Sequence, residues 1–248
     1  MIDLTGQVSL VTGGSRGIGR ATALLLARAG ADVAVGYRSR QADAEAVAAE
    51  IRQLGRRALL AAGDLGDEAR AAEVVATVMR AFGRLDILVA NAGTWPPEDV
   101  PVSRLDTARW RDTVRDNLDG VFYVTRAALR VMAPGGRVIL VSSTAGQRGE
   151  AGHADYAATK GGVIALTRSL AVECAPDVTV NCVAPGWVAT EMSAGALAGD
   201  RGEAIARSIP LRRVATPEDV AGPIVFLASP LARHMTGAIL NVNGGSVL

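Results

Sequence analysis

Two side chains in this sequence have the chemistry and the spacing to move a proton together. Tyr156 and Lys160 lie four residues apart within residues 155–174, which pattern as a helix, and side chains at i and i+4 share a helix face. The pKa of a free tyrosine, near 10, is too high for acid or base work at neutral pH, but a cation held beside the phenol lowers that pKa. The pair is therefore suited to general acid–base catalysis.

The ordinary interpretation of such a pair is a surface contact, which stabilises a helix by only about 0.2–0.5 kcal/mol. Composition favours a functional role instead, because Lys160 is the single lysine and the other 25 of the 26 basic residues are arginine. A sequence that uses arginine wherever either cation serves retains a lysine where a compact, rotatable ammonium is needed.

A glycine-rich turn near the start of the chain predicts a phosphate site. Residues 7–12 read as a strand and residues 21–29 as a helix, with four glycines in the turn between them. In this context the backbone approaches a pyrophosphate closely, and the helix N-terminus offers unpaired N–H groups. The alternative is a tight turn used only for packing. We expect a dinucleotide to contact Gly13, Ser15, Arg16, Gly17, Ile18 and Gly19.

The second predicted strand, residues 32–36, ends where dinucleotide-binding domains distinguish their two cofactors. An acidic residue there accepts from a free ribose 2′-hydroxyl, whereas this sequence continues with Tyr37 and Arg38 and has no carboxylate. Arg38 can pair with a 2′-phosphate, with Arg16 as a second charge, so we predict NADP(H); a solvated basic loop is the alternative. Asp64 and Leu65 follow the third strand, where Asp64 is expected to bond the adenine amino group.

The order of the remaining elements predicts the fold. Helices are expected at residues 42–54, 68–82 and 107–132 and after Thr216, and strands at 58–62, 85–90, 137–141, 178–184 and 237–242. Alternating strands and helices form a parallel sheet with right-handed crossovers. We predict an α/β fold, a single Rossmann-type doubly wound sheet with helices on both faces, and one domain over residues 1–248 because no linker is visible.

Three further segments are candidates for the site. Asn117 interrupts an apolar stretch of the helix at 107–132, which indicates a polar role inside the fold, and Ser143 follows a strand at the carboxyl edge of the sheet. After Pro185, a stretch rich in glycine, alanine and short polar residues has the composition of a mobile substrate lid, placed at about residues 187–212.

Together these motifs resemble the short-chain dehydrogenase/reductase family along essentially the whole chain. The match covers the cofactor turn Thr12-Gly13-x-x-x-Gly17-x-Gly19, the turn Asn91-Ala92-Gly93, a tetrad of Asn117, Ser143, Tyr156 and Lys160, and the segment with Pro185, Gly186, Val188 and Thr190. The resemblance implies that the turn and this last segment contact the cofactor. It also implies a homotetramer, with the tail after residue 242 helping it to assemble.

The resemblance also implies a mechanism that these residues can carry. Ser143 would hydrogen-bond a substrate carbonyl while Tyr156 donates a proton to its oxygen, as hydride arrives from the nicotinamide. Lys160 would hold the nicotinamide ribose and lower the pKa of Tyr156. Asn117 would hold a water that links Lys160 to solvent. The reaction expected is hydride transfer between NADP(H) and a carbonyl or secondary alcohol.

Two other functions use related sequences. A sugar-nucleotide epimerase or dehydratase shares the Tyr-Lys pair but usually carries Gly-x-x-Gly-x-x-Gly and a longer substrate region, and a non-catalytic NADP-binding sensor is expected to have lost Tyr156 or Lys160. The substrate stays open between a 3-oxoacyl thioester and a small ketone. An acyl carrier protein is doubtful, because residues 133–136 and 175–177 contain no basic side chain for an acidic carrier.

Composition excludes several classes of function. A formal net charge of +1 gives no reason to expect nucleic acid or a charged membrane as partner. The apolar runs are far shorter than the roughly 20 residues that span a bilayer, and the first residues do not have a signal peptide's pattern. Cys174 and Cys182 read as buried thiols, and His153 and His234 as isolated residues that bind no metal. We therefore expect a cytoplasmic enzyme without a metal.

Overall fold

Seven parallel strands form one central sheet in the computed structural model, which describes residues 2–248. Their spatial order is β3-β2-β1-β4-β5-β6-β7. The strands are β1 (Val8–Val11), β2 (Asp32–Tyr37), β3 (Ala58–Ala62), β4 (Ile87–Ala90), β5 (Gly136–Val141), β6 (Val178–Pro185) and β7 (Ile239–Val242). The strand order reverses between β1 and β4, and this switch point opens the crevice where ligands bind in such sheets.

Helices cover both faces of the sheet, as the element order predicts. They are α1 (Gly17–Arg28), α2 (Gln41–Gln53), α3 (Glu68–Phe82), α4 (Thr107–Val114), α5 (Gly120–Leu129), α6 (Thr144–Arg148), α7 (Ala154–Glu173), α8 (Gly199–Ser208) and α9 (Pro217–Leu227). One apolar core lies beneath α1, α2 and α9 and the other beneath α3, α5 and α7. Successive strand residues alternate between them, as Leu10 and Val11 do, because side chains alternate across a strand.

The helix predicted over residues 107–132 is interrupted in the structure. A π-helical turn, Arg115–Asp119, separates α4 from α5 and contains the fully buried Asn117. The uninterrupted helix was wrong, because the polar amide of Asn117 bonds outside its own helix. Single π turns are frequent at functional sites, and this one carries a residue of the predicted tetrad.

The first helix begins earlier than the apolar pattern indicated. Helix α1 starts at Gly17, so that the end of the glycine turn forms its first turn. Gly13 and Gly17 adopt positive φ angles of 63° and 53°, a conformation that other residues rarely take. The turn therefore points the N-terminus of α1 toward the switch point.

The predicted lid, residues 187–212, contains turns followed by α8. Val188 makes a single parallel bridge with Ala215, and Thr216 then caps α9 with a capping box completed by Asp219. The segment is thus tied to the body of the protein at both of its ends. No helix in residues 2–248 is long and apolar enough to cross a membrane.

Candidate active site

A cleft of about 370 Å³ lies along the carboxyl ends of the strands at the switch point. It brings together nearly all the residues singled out by sequence. Every predicted cofactor residue except Gly19 lines it, and so do Ser143, Tyr156 and Lys160, whereas Asn117 does not. Within residues 2–248, no cluster of histidine, cysteine and acidic side chains could hold a metal ion.

Gly19 packs closely on the glycine turn, and its cofactor contact stays a prediction. A Cβ at this position would lie 2.1 Å from the carbonyl oxygen of Gly13 and 2.7 Å from Nδ2 of Asn91, so only glycine lets α1 approach the turn. Asn91 fixes the same region from β4, because its Nδ2 donates to the carbonyl of Thr12 at 2.9 Å. In return the Thr12 hydroxyl accepts from the backbone N–H groups of Asn91 and Ala92, both at 3.0 Å.

Ser143 and Tyr156 face the cleft from neighbouring helices. Ser143 caps α6, and its Oγ accepts from the N–H of Ala145 at 3.1 Å. Burial raises the pKa of Tyr156 to about 12, and the hydrogen bond from Ser143 only partly opposes this. The expected lowering of the Tyr156 pKa is therefore not found in the protein alone, and the phenol is protonated at neutral pH.

Lys160 lies one helical turn beyond Tyr156 and is 4% exposed. Its Nζ donates to the carbonyl of Val141 at 2.9 Å and lies 5.7 Å from the centre of the Tyr156 ring. This separation explains why Lys160 does not lower the phenol's pKa here. Burial instead lowers the pKa of Lys160 to about 8.

Asn117 lies behind the cleft and holds the loop that follows β4. Its Oδ1 accepts from the N–H of Thr94 at 2.7 Å and its Nδ2 donates to the carbonyl of Thr94 at 2.9 Å. A Cβ on Gly93 would lie 2.6 Å from that Oδ1 and 3.4 Å from Nζ of Lys160. The side chain of Asn117 is thus engaged with the backbone of this loop, and the water-holding role expected of the residue stays a prediction.

The predicted ribose end of the cleft holds a chain of opposite charges. Nη1 of Arg38 lies 3.0 Å from Asp116 and 3.8 Å from Asp64, and Arg115 forms a further ion pair with Asp64. Burial favours a higher pKa for Asp64, but the bonds from Arg115 and from the backbone of Gly66 hold it below its ordinary value. The adenine contact predicted for Asp64 therefore competes with these partners.

A second charged group at this end was not predicted from the sequence. Arg16 and Arg40 both reach Oε2 of Glu191, at 2.7 Å and 3.0 Å. Glu191 belongs to the predicted lid, so a carboxylate from that segment lies between two guanidinium groups of the cofactor turn and the loop after β2. Only the long-range packing of two loops brings Arg40 and Glu191 together, and no local spacing signals it.

Comparison with known proteins identifies the family. A family model described as enoyl-(acyl carrier protein) reductase matches residues 13–246. The chain is 42% identical to the 3-oxoacyl-[acyl-carrier-protein] reductase of Synechocystis, with all of both chains covered. It is 44% identical to the cis-4-hydroxycyclohexanecarboxylate dehydrogenase of Sinomonas cyclohexanicum over 96% of each. The solved structure of a Brucella melitensis short-chain dehydrogenase/reductase has a TM-score of 0.93 at 34% identity, covering 100% of this chain and 99% of the other.

The chain belongs to the short-chain dehydrogenase/reductase family. A short-chain dehydrogenase from Burkholderia cenocepacia, solved in complex with NADP, has a TM-score of 0.93 at 37% identity over 98% of both chains. As a member of this family the protein is an oxidoreductase of the carbonyl and alcohol class, and the family resemblance and the fold predicted from sequence are both confirmed.

A buried histidine lies behind the end of the cleft beyond Tyr156. His153 is 1% exposed and stacks on Trp95 with ring centres 4.6 Å apart, so it is not the isolated residue expected. Its Nδ1 lies 3.4 Å from Asp99 and 3.8 Å from Glu150. Of the two thiols, Cys182 is buried as predicted, but Cys174 is only half-buried.

Proposed function

We propose that the protein transfers a hydride between NADP(H) and a carbonyl compound or secondary alcohol through Ser143, Tyr156 and Lys160. The observation that carries the proposal is that Ser143, Tyr156 and Lys160 line one cleft together with the glycine turn. Burial raises the pKa of Tyr156 to about 12, so the phenol holds its proton until a cation approaches and favours the phenolate.

The residues of the cleft fit NADP(H). Positive φ angles at Gly13 and Gly17 turn the chain so that the N-terminus of α1 faces the cleft, where backbone N–H groups hold phosphate. Glu191, bound between Arg16 and Arg40, shows that these arginines accept an anion. We assign the pyrophosphate to the glycine turn, the 2′-phosphate to Arg38 with Arg16 and Arg40, and the ribose beside the nicotinamide to Tyr156 and Lys160.

The chain's own residues then do the rest of the chemistry. NADP(H), when bound, supplies or accepts the hydride. The Ser143 hydroxyl orients the substrate oxygen, and Tyr156 passes its proton to that oxygen during reduction or takes one during oxidation. The ammonium of Lys160, once turned from the Val141 carbonyl toward the ribose, favours the phenolate that proton donation leaves.

Replacing the phenol tests this assignment. Tyr156→Phe should reduce turnover at least about a hundredfold, the low end of general acid–base catalysis. The variant should still bind NADPH, which is measured by the increase in NADPH fluorescence on binding. Tyr123→Phe, which removes a phenol hydroxyl from α5 outside the cleft, is the control and should retain its activity. A Tyr156→Phe enzyme with normal turnover would show that another group donates the proton.

The substrate is a 3-oxoacyl thioester or a small ketone. The two stretches considered for carrier docking lie side by side, since the N–H of Gly135 donates to the carbonyl of Asp177 at 2.7 Å. The cation nearest to them in sequence, Arg137, is half-buried and bonds the carbonyl of Gly135 at 2.8 Å. This supports a substrate that is free rather than bound to an acidic carrier protein, although the Synechocystis relative is named for a carrier-bound substrate.

Three further assignments complete the proposal. Residues 1–248 act as one catalytic domain, with residues 187–212 as the lid. The enzyme is a cytoplasmic homotetramer. Free thiols at Cys174 and Cys182 support a reducing compartment, which cell fractionation would check, and exposed apolar side chains on α4, α5 and α7 support the assembly.

A further inference from the structure

A carboxylate lies beside the phenol at the substrate end of the cleft. Glu150 follows α6, six residues before Tyr156, and lines the cleft with its side chain 26% exposed. Tyr156 lines the same cleft, and the charge of Glu150 contributes to the raised pKa of the phenol. The hydride-transfer mechanism gives this carboxylate no role.

The surroundings of Glu150 hold it in place. Trp95 lines the cleft together with it, and the Trp95 ring stacks on His153. His153 lies behind it, with Nδ1 3.8 Å from Oε1 of Glu150. Nε2 of His153 lies 2.8 Å from the carbonyl oxygen of Pro96, and since a carbonyl can only accept, Nε2 carries a proton. A cationic His153 would have to direct its second proton at the two carboxylates, Asp99 and Glu150.

The buried histidine is otherwise incompletely bonded. Its Nδ1 forms no hydrogen bond with any residue of 2–248, although the ring is almost fully buried. Buried polar groups without partners are uncommon and need an explanation. Here Nδ1 faces the carboxylates of Asp99 and Glu150 at distances of 3.4 Å and 3.8 Å.

Two aromatic rings complete the walls of this region. Trp95 and Trp187 both line the cleft, and their rings meet edge to face with centres 5.9 Å apart. Flat aromatic surfaces contact C–H groups, while a carboxylate has about four acceptor positions. The walls thus offer the apolar faces of two indole rings and the negatively charged hydrogen-bond acceptor of Glu150.

On the basis of the proposed function, we infer that Glu150, Trp95 and Trp187 form a substrate subsite that selects neutral, hydroxylated carbonyl compounds and their polyol products. A hydroxyl group near the reacting carbonyl donates to Glu150. A carboxylate at the same place meets a like charge, and a methyl group leaves the acceptor unpaired. Sites that hydrogen-bond a substrate hydroxyl reject the analogue without it strongly.

The test uses carbonyl compounds of matched size. 1-Hydroxy-2-butanone is compared with 3-pentanone and 2-oxobutanoate, and 4-hydroxy-2-butanone with 2-pentanone, by NADPH oxidation at neutral pH. The wild-type kcat/KM should be at least about tenfold higher for each hydroxyketone than for its methyl analogue, since a hydrogen bond to a charged group contributes this much or more. It should be lowest for the keto acid.

Two variants separate hydrogen bonding from charge. Glu150→Leu removes both the hydrogen-bond acceptor and the charge, and it should abolish the preference for hydroxyketones. Glu150→Gln removes the charge but retains an acceptor. In this variant part of the preference should persist, and kcat/KM for 2-oxobutanoate should rise. Glu98→Gln, an exposed carboxylate on the loop after β4, is the matched control and should behave as wild type. NADPH affinity should be the same in all four proteins.

The outcomes distinguish the subsite from the function on which it rests. Equal kcat/KM for hydroxyketones and methyl analogues in the wild type, with measurable turnover, would retain the hydride-transfer function and overturn the subsite. A hydroxyl preference that survives in both Glu150 variants would overturn it too. Failure to reduce any carbonyl compound would overturn both proposals.

Discussion

Lys160 shows at the scale of a single residue how catalytic need opposes stability. Its ammonium is 4% exposed, has a pKa lowered by burial to about 8, and bonds only a backbone carbonyl. A buried ammonium without a carboxylate partner is costly, because charge is disfavoured away from water. The single lysine therefore lies at a position where its charge lowers the stability of the folded protein.

Replacing this lysine should stabilise the protein without cofactor. Burial lowers the pKa of Lys160 from its ordinary 10.5 to about 8, which at about 1.4 kcal/mol per tenfold change corresponds to about 3.5 kcal/mol. Because the unfolded state binds more protons between these values, stability rises with pH there. The gain of Lys160→Met should be full below pH 8 and vanish by about pH 10.5, measured by urea unfolding.

Arg168→Met is the control for this measurement, because Arg168 is an exposed cation on the same helix. Its effect on the free energy of unfolding should stay within about 0.5 kcal/mol and change little between pH 7 and 10. Lys160→Met should also lose most activity. A Lys160→Met protein that is less stable than wild type at pH 7 would show that the ammonium contributes favourably to the fold.

At the scale of elements, the site depends on how closely α6 and α7 pack. A Cβ on Gly146 of α6 would lie 2.4 Å from the carbonyl carbon of Lys160 and 2.6 Å from its oxygen. Ser142 braces the same point, donating from its Oγ to the Lys160 carbonyl at 2.7 Å. The helix that carries Ser143 is thus positioned by direct contact with the backbone of the helix that carries Tyr156.

Adding one methyl group at this contact should disturb both stability and catalysis. Gly146→Ala forces two backbones apart, and overpacking of this kind costs about 1–3 kcal/mol. It should also lower kcat by moving Ser143 relative to Tyr156. Chemical unfolding and steady-state rates would measure the two effects. Gly195→Ala, where a Cβ meets nothing within 4 Å, should change stability by less than about 0.5 kcal/mol; equal effects in both variants would refute the close-packing argument.

Some features of the fold were predictable from sequence patterns and others were not. The strand ends and the glycine turn were predictable because the spacing of apolar residues and the residue types of a turn are signals within a short stretch of sequence. The π turn at Asn117 was not, since it depends on two bonds with Thr94, a residue 23 positions away. The arginine contacts of Glu191 and the pocket of His153 also arise from loops that only the folded sheet brings together.

At the scale of the whole molecule, several large apolar side chains remain exposed to solvent in a single chain. Trp110 is 40% exposed, Phe122 41% and Val172 80%, and they lie on α4, α5 and α7. Burying such groups is the main favourable contribution to association, and most soluble oligomers are closed and symmetric.

Light scattering should therefore return a mass of about four chains of 25.5 kDa each at micromolar concentration. Phe122→Glu, which puts a charge on the exposed patch, should lower that mass, whereas Leu54→Glu on the loop after α2 should not. A wild-type mass equal to one chain would contradict the tetramer and leave the exposed side chains without that explanation.

Isotope transfer tests whether the enzyme transfers a hydride from NADPH to a carbonyl carbon. NADPH deuterated at the reactive nicotinamide carbon, each face labelled separately, is incubated with the best ketone of the substrate panel, and the alcohol is analysed by mass spectrometry. The alcohol should carry one deuterium on the carbinol carbon from one face only, and kcat/KM should be at least about tenfold higher with NADPH than with NADH, because Arg38 bonds the 2′-phosphate. An alcohol without deuterium, or no alcohol, would contradict the hydride-transfer claim, and equal rates with NADH would contradict the role of Arg38.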